Sequence, residues 1–129
     1  MPNADTRREA ERRGRRSETI AAAFLMLKGY RILGRRVRTH AGEIDLVARA
    51  PSGLVCFIEV KQRADARAAV ESVAPRQQAR IARAASLYLA QRPALAQRGV
   101  RFDIMAVGGP LPRHFRDAFR VDDWRKAAV

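Results

Sequence analysis

Cysteine is almost absent from this chain. Cys56 stands alone, so no intrachain disulfide can form, which fits a reducing compartment. Its place in an apolar strand pattern makes it a small buried hydrophobe and not an activated nucleophile. Long apolar runs are also missing, and nothing approaches the about 20 residues of a membrane span. The stretch from Arg12 to Leu27 has a charged head and an apolar part, as an export signal does. Its apolar part is short, however, and Lys28-Gly29-Tyr30 follows where a small-residue cleavage site would stand, so it reads as an amphipathic helix. The protein is expected in the cytoplasm. There is no glycine-rich phosphate loop, no zinc-ligand spacing and no internal repeat. Acidic residues are few: 13 Asp and Glu against 26 Lys and Arg give a formal net charge of +13 over 129 residues. That excess makes a polyanion the natural partner, either nucleic acid or an anionic surface. The length suits one domain with a real core and is too short for two.

The few acidic residues are not scattered. Gly42 to Arg63 reads as two strands joined by the turn Ala50-Pro51-Ser52-Gly53, with Glu43, Asp45 and Glu59 set inside apolar strand sequence and Lys61 two residues after Glu59. A carboxylate in a buried strand costs several kcal/mol unless it is paired or binds a cation. A turn centred on Ser52 sets Asp45 opposite Glu59, Val47 opposite Phe57 and Glu43 opposite Lys61. Opposed residues of an antiparallel pair share a face. All four polar residues then lie on one face, and Ile44, Leu46, Cys56, Ile58 and Val60 form a core face on the other.

The rest of the chain frames this hairpin. Residues 1–16 are a basic N-terminal extension, flexible or helical, and residues 121–129 a tail with a helical turn capped by Asp122 or Asp123 and Trp124 folding back. A helix is expected from Ser17, as N-cap, to Lys28, with Ile20, Phe24 and Leu27 on one stripe and Gly29 as its stop. Glu18 falls in its first turn, where a carboxylate complements the helix dipole. Strand one, Tyr30 to Arg38, carries Arg35, Arg36 and Arg38, a density that suits an edge strand beside a phosphate backbone. His40 lies in the following turn, exposed and placed to support the site or touch phosphate. Asp65 to Ser72 reads as a polar connector. A second helix starts at Pro75 and runs to about Arg92. Its buried stripe is Ile81, Ala84, Ala85 and Tyr88, and Arg76, Arg80 and Arg83 form a basic rail that, with Arg63, is a candidate nucleic-acid surface. Strand four is Val100 to Val107, with Asp103 read as the partner of an arginine. A short strand is expected around His114 and Phe115.

Two facing carboxylates followed by a lysine suit phosphodiester hydrolysis. Hard oxygen ligands suit Mg²⁺, which binds through one or two carboxylates plus substrate phosphate, and a metal lowers the pKa of bound water. Lys61 would orient water or stabilise transition-state charge. The alternative is a surface salt-bridge cluster in which Lys61 pairs with Glu43.

The sequence resembles the YraN-type family of bacterial proteins, a group regarded as endonucleases with a restriction-endonuclease-like fold. The matching stretches are Ser17-Glu18, Gly29-Tyr30, Gly42-Glu43-Ile44-Asp45-Leu46-Val47, Phe57-Ile58-Glu59-Val60-Lys61, Arg101-Phe102-Asp103 and Asp117-Ala118-Phe119. The resemblance implies an α/β nuclease-like domain over residues 17–120, with an αβββαβ core and a mixed central sheet flanked by helices, as in PD-(D/E)xK nucleases. Through its similarity to archaeal Holliday junction resolvases it implies a metal-site role for Glu18, Asp45 and Glu59 and a catalytic role for Lys61. Mg²⁺ is the implied cofactor, with Mn²⁺ able to substitute. DNA, branched DNA included, is the implied substrate, and a homodimer would let two sites address two strands. Gln77 stands where the family commonly has lysine. A protein that binds nucleic acid on this fold without cutting it is the alternative.

Overall fold

The computed structural model describes residues 4–122, so the tail expected beyond Asp122, Trp124 included, lies outside the described residues. The first helix, α1 (Ala4–Leu27), starts far upstream of Ser17, which is a buried mid-helix residue and not an N-cap. Residues 4–16 are rich in Arg, Glu and Ala, all strong helix formers, and the single Gly14 costs only about 1 kcal/mol, too little to end the helix. α1 stops where expected. Gly29 takes a positive φ of 89°, its N–H bonds the Met26 carbonyl and the Tyr30 N–H bonds the Leu25 carbonyl, the hydrogen-bond pattern of a glycine-terminated helix.

Five strands follow: β1 (Arg31–Thr39), β2 (Gly42–Arg49), β3 (Val55–Lys61), β4 (Val100–Ala106) and β5 (Arg113–Phe115), side by side in that order. β1 is an edge strand, as its arginines suggested. β3 and β4 run parallel and every other pair antiparallel, so the sheet is mixed. A parallel pair needs a long crossover. Here it carries α2 (Ala66–Glu71), α3 (Pro75–Ala90) and α4 (Pro93–Ala96). α2 replaces the connector read from the sequence. The Asp65 side chain caps it by accepting the N–H groups of Arg67 and Ala68. The expected αβββαβ order is present, the short strand expected around His114 and Phe115 is β5, and α2 and α4 are added. No described helix is long and apolar enough to cross a membrane.

Helices cover both faces of the sheet. Ala21, Ala22 and Leu25 of α1 pack on Leu46, Ala48, Cys56, Ile58 and Met105. Ile81, Ala84, Ala85 and Tyr88 of α3 pack with Val47, Val55, Phe57, Phe102 and Ile104. The acidic residues thus occupy one end of their face of the hairpin, as expected, and that face is core near the turn, where Val47, Val55 and Phe57 pack under α3. That turn is as read, with Gly53 at φ 98° donating to the Ala50 carbonyl.

The register of the hairpin holds where it pairs: Val47 faces Phe57 and Leu46 faces Ile58. The ladder then ends, and Asp45 and Glu59 are not ladder partners. Alternation slips at the same point, because Ile44 packs in the α3 cluster with Val47 while Leu46 packs in the α1 cluster. Ile44 thus leaves the core face it was expected to share with Leu46. Across from this slip, β1 places Arg36 at φ 49° between the paired residues Arg35 and Val37. An irregularity on both strands lets β2 diverge from β3, as bulges do where a strand end is re-aimed.

Candidate metal centre

The divergence of β2 opens the site. With no partner carbonyl beside it, the Val60 N–H donates instead to Asp45 Oδ2 at 2.8 Å, so the aspartate closes the gap with its own side chain. A buried backbone donor needs an acceptor, and a carboxylate is a strong one. This hydrogen bond also fixes where the other Asp45 oxygen can point.

Three carboxylates meet there. Oxygens of Glu18, Glu43 and Asp45 all lie within 4.8 Å of one another. Glu18 comes from the sheet-facing side of α1 and is 6% exposed. Glu43 is at the open rim, where Arg38 Nε stands 3.7 Å from its Oε2. Glu59 joins from β3, near enough to Asp45 for each carboxylate to shift the other. Its Oε1 accepts from Gln77 Nε2 of α3 at 3.0 Å and lies 3.5 Å from Lys61 Nζ.

The electrostatics follow from burial. Desolvation pushes both Asp45 and Glu59 above the usual carboxylate range, and the neighbouring negative charges add to this: Glu18 on Asp45, and Asp45 on Glu59. The Val60 N–H and Lys61 oppose the rise at Asp45, and Lys61 opposes it at Glu59, which still reaches about 8. Burial thus favours the protonated form of the pair, and a bound cation could take the place of that proton. Such a donor set, oxygen only and rich in negative charge, fits a hard divalent cation such as Mg²⁺. Among the described residues, Asp45, Glu18 and Glu43 bring oxygens close enough together to hold it; Glu59, expected as a ligand with Asp45 and Glu18, is not in that group and stands beside Asp45.

The other residues singled out in the sequence have these places. Lys61 pairs with Glu59 and not with Glu43, so the salt-bridge alternative built on Glu43 is not the one found. Arg36 Nε donates to Glu18 Oε2 at 2.7 Å, and Arg35 donates to Thr19 Oγ1 at 2.7 Å. Two of the strand arginines are thus turned onto α1. Arg63, Arg76, Arg80 and Arg83 are exposed, and so is His40. The Arg80 stem runs beside Gly42, whose imagined Cβ would lie 3.1 Å from Arg80 Cδ, which brings the α3 rail against the acidic hairpin.

Two features escaped the sequence reading. Gln77 was noted only as a departure from a family pattern, whereas it contacts Glu59 directly. A second polar cluster surrounds Asp103, which is fully buried. Its oxygens accept from Arg101 Nε and Nη2, both at 2.8 Å, and from the Asp117 N–H at 2.9 Å, and one lies 2.8 Å from His114 Nε2. Arg101 also reaches the Tyr30 hydroxyl at 2.6 Å, and Lys28 Nζ is 2.7 Å from His114 Nδ1. Asp103 was expected to pair with an arginine, and Arg101 is that partner, but nothing local announced His114 or Tyr30.

Fold and site together define a mixed α/β protein with an acidic cluster where two central strands part. The chain belongs to the uncharacterised protein family UPF0102, whose profile it matches over residues 17–107; this is the YraN-type family that the motifs suggested. It is 54% identical over 114 residues to a UPF0102 protein of Rhizobium etli, covering 88% of this chain and 93% of that one. A UPF0102 protein of Paramagnetospirillum magneticum is 48% identical over 126 residues, 94% and 97% of the two chains. One of Maricaulis maris is 52% identical over 114 residues, 88% and 89%.

Proposed function

We propose that this protein is a divalent-metal-dependent endonuclease that hydrolyses DNA phosphodiesters, branched DNA among them. The observation that carries the reading is the meeting of Glu18, Glu43 and Asp45 oxygens within 4.8 Å, beside Glu59 and Lys61, in a chain of net charge +13. Mg²⁺ or Mn²⁺ would be held by Asp45, Glu18 and Glu43 and would supply Lewis-acid activation of water and of the scissile phosphate. Glu59 holds Asp45 in place and moves a proton within the pair. Lys61, tethered 3.5 Å from Glu59, offers an ammonium to the charge that develops on the phosphate. Arg63, Arg76, Arg80 and Arg83 stand on the exposed surface and would carry the strand by phosphate contacts. The single buried Cys56, its thiol pushed up to about 12 by burial, takes no part and suits a cytoplasmic protein.

One observation favours the alternative of a DNA-binding protein that does not cut: Arg36 neutralises Glu18, one of the three converging carboxylates. The two readings separate when linear, nicked and four-way-junction DNA are incubated with Mg²⁺ or Mn²⁺ and the wild type, Asp45→Asn or Glu59→Gln. Cleavage that depends on both carboxylates supports the endonuclease. Binding without cleavage supports the alternative, and cleavage that survives either substitution removes this site from the account.

A further inference from the structure

A cavity of about 480 Å³ lies between the tip of the β1–β2 hairpin and the C-terminal end of α3. Its apolar part includes Leu87 and the buried Tyr88, and its polar part Arg38, His40, Gln91 and Arg92. Among the described residues no carboxylate lines it. We propose that this cavity receives one unpaired nucleotide of the DNA strand held at the acidic cluster; the inference rests on the DNA reading and gives that site its substrate preference.

Three observations point to a nucleotide and not to a bare phosphate or a peptide. First, an anion alone has no use for an apolar floor, whereas a base sets its ring on one and its phosphate at a cationic rim. Second, Arg92 is held in place as a platform. Its guanidinium lies 3.8 Å from the centroid of the Tyr88 ring while Nη1 donates to the Tyr88 carbonyl oxygen at 3.0 Å. A planar guanidinium fixed in this way presents a surface on which a base stacks. Third, the cavity is joined to the acidic cluster by a single side chain. Arg38 lines the cavity and its Nε stands 3.7 Å from Glu43, whose oxygen is in turn within 4.8 Å of those of Glu18 and Asp45.

A base paired in a duplex keeps its ring in the stack and cannot enter a side pocket. A strand with an unpaired base at this distance from the cleaved phosphate can. The cavity therefore selects flaps, bulges and junction arms over uniform duplex, and does so by stacking, with little regard to which base is present.

The test is fluorescence anisotropy in EDTA, which reads binding apart from cleavage. The probes are a fluorescein-labelled duplex, the same duplex with one bulged nucleotide, and the same bulge made abasic. The wild type is expected to bind the bulged duplex about tenfold more tightly than the paired one, the worth of one stacked base. Leu87→Trp, which fills the cavity, and Gln91→Glu, an exposed change that sets a carboxylate at the rim, should each bring that ratio to about twofold or less. Equal binding of paired and bulged duplex by the wild type overturns the inference and leaves the endonuclease reading in place. So does an abasic bulge bound as tightly as the natural one, or a preference that persists in both variants. Failure to bind any of the probes at low salt removes the DNA reading and this inference together.

Discussion

Arg36 Nε lies 2.7 Å from Glu18 Oε2, and it gets there from a backbone at φ 49°, a conformation that costs a non-glycine residue about 1 kcal/mol or more. The same backbone irregularity faces the slip in β2 that separates Ile44 from Leu46. The strained residue thus marks where the sheet opens, and its side chain neutralises the carboxylate that α1 buries there. Two substitutions separate these roles. Arg36→Ala should lower stability by about 2 kcal/mol without metal, because Glu18 loses a charge-assisted partner while the strain stays. Arg36→Gly should lose less, since glycine takes this φ freely. Urea unfolding of both variants checks the order, and added Mg²⁺ should recover part of the loss in each by neutralising Glu18.

The raised Glu59 makes stability depend on pH in a definite direction. Its ordinary value of 4.5 applies to the unfolded chain and about 8 to the folded one, through burial first and Asp45 second. Between those values the folded state holds a proton that the unfolded state has lost, so stability falls as pH rises from about 4.5 to about 8. Thermal unfolding followed without metal should show this fall, and Glu59→Gln should flatten it. Mg²⁺ should stabilise the wild type more at pH 8 than at pH 5, because it replaces the shared proton.

Gln77 offers a finer check of the same pair. It donates to Glu59 at 3.0 Å as a neutral amide. Gln77→Lys would set a charge at that position and favour the ionised carboxylate. The expected result is a smaller loss of Tm between pH 5 and pH 8 than in the wild type. An unchanged profile would show that the Gln77 side chain has no influence on the pair.

Asp103 behaves in the opposite sense. Burial pushes it up, but hydrogen bonds from His114, Arg101 and the Asp117 amide outweigh burial and leave it below its ordinary value. Its contribution is present above the unfolded value of 3.8 and is lost as pH falls through the lower folded one. Asp103→Ala strands Arg101 and His114 and should cost about 3–5 kcal/mol, the penalty of breaking a buried pair. Guanidinium denaturation checks it. The endonuclease reading predicts that cleavage by the protein that remains folded persists, because Asp103 lies beside Ile58, which packs under α1, whereas Glu59 reaches Gln77 of α3.

Much of this was legible in the chain, for local reasons. Gly29 and Pro75 mark helix ends through backbone preference, and the Ala50–Gly53 turn sets the hairpin register as far as Leu46 and Ile58. Asp45, Glu59 and Lys61 were visible because carboxylates are rare in apolar strands. What failed was non-local or concerned irregularity. Strict alternation put Ile44 with Leu46 and kept Glu43 opposite Lys61, but the β2 slip cannot be read from period two. Ser17 looked like a cap because Ser before Glu so often is one, while Arg-rich sequence before it continued the helix. Asp65 was a true cap that passed unnoticed before a short, featureless Ala-Arg-Ala-Ala run. The placing of Gln77 on Glu59 and of Arg36 on Glu18 depends on how α3 and α1 pack across the sheet, which no spacing along the chain encodes.

The most direct measurement is a calorimetric titration of Mn²⁺ into the protein, wild type against Asp45→Asn, with the fold of each verified by circular dichroism. The account predicts a saturable site in the wild type, proton release on binding at neutral pH, and loss of both in Asp45→Asn. Saturable binding of equal affinity in the two proteins, or none in the wild type, would contradict it.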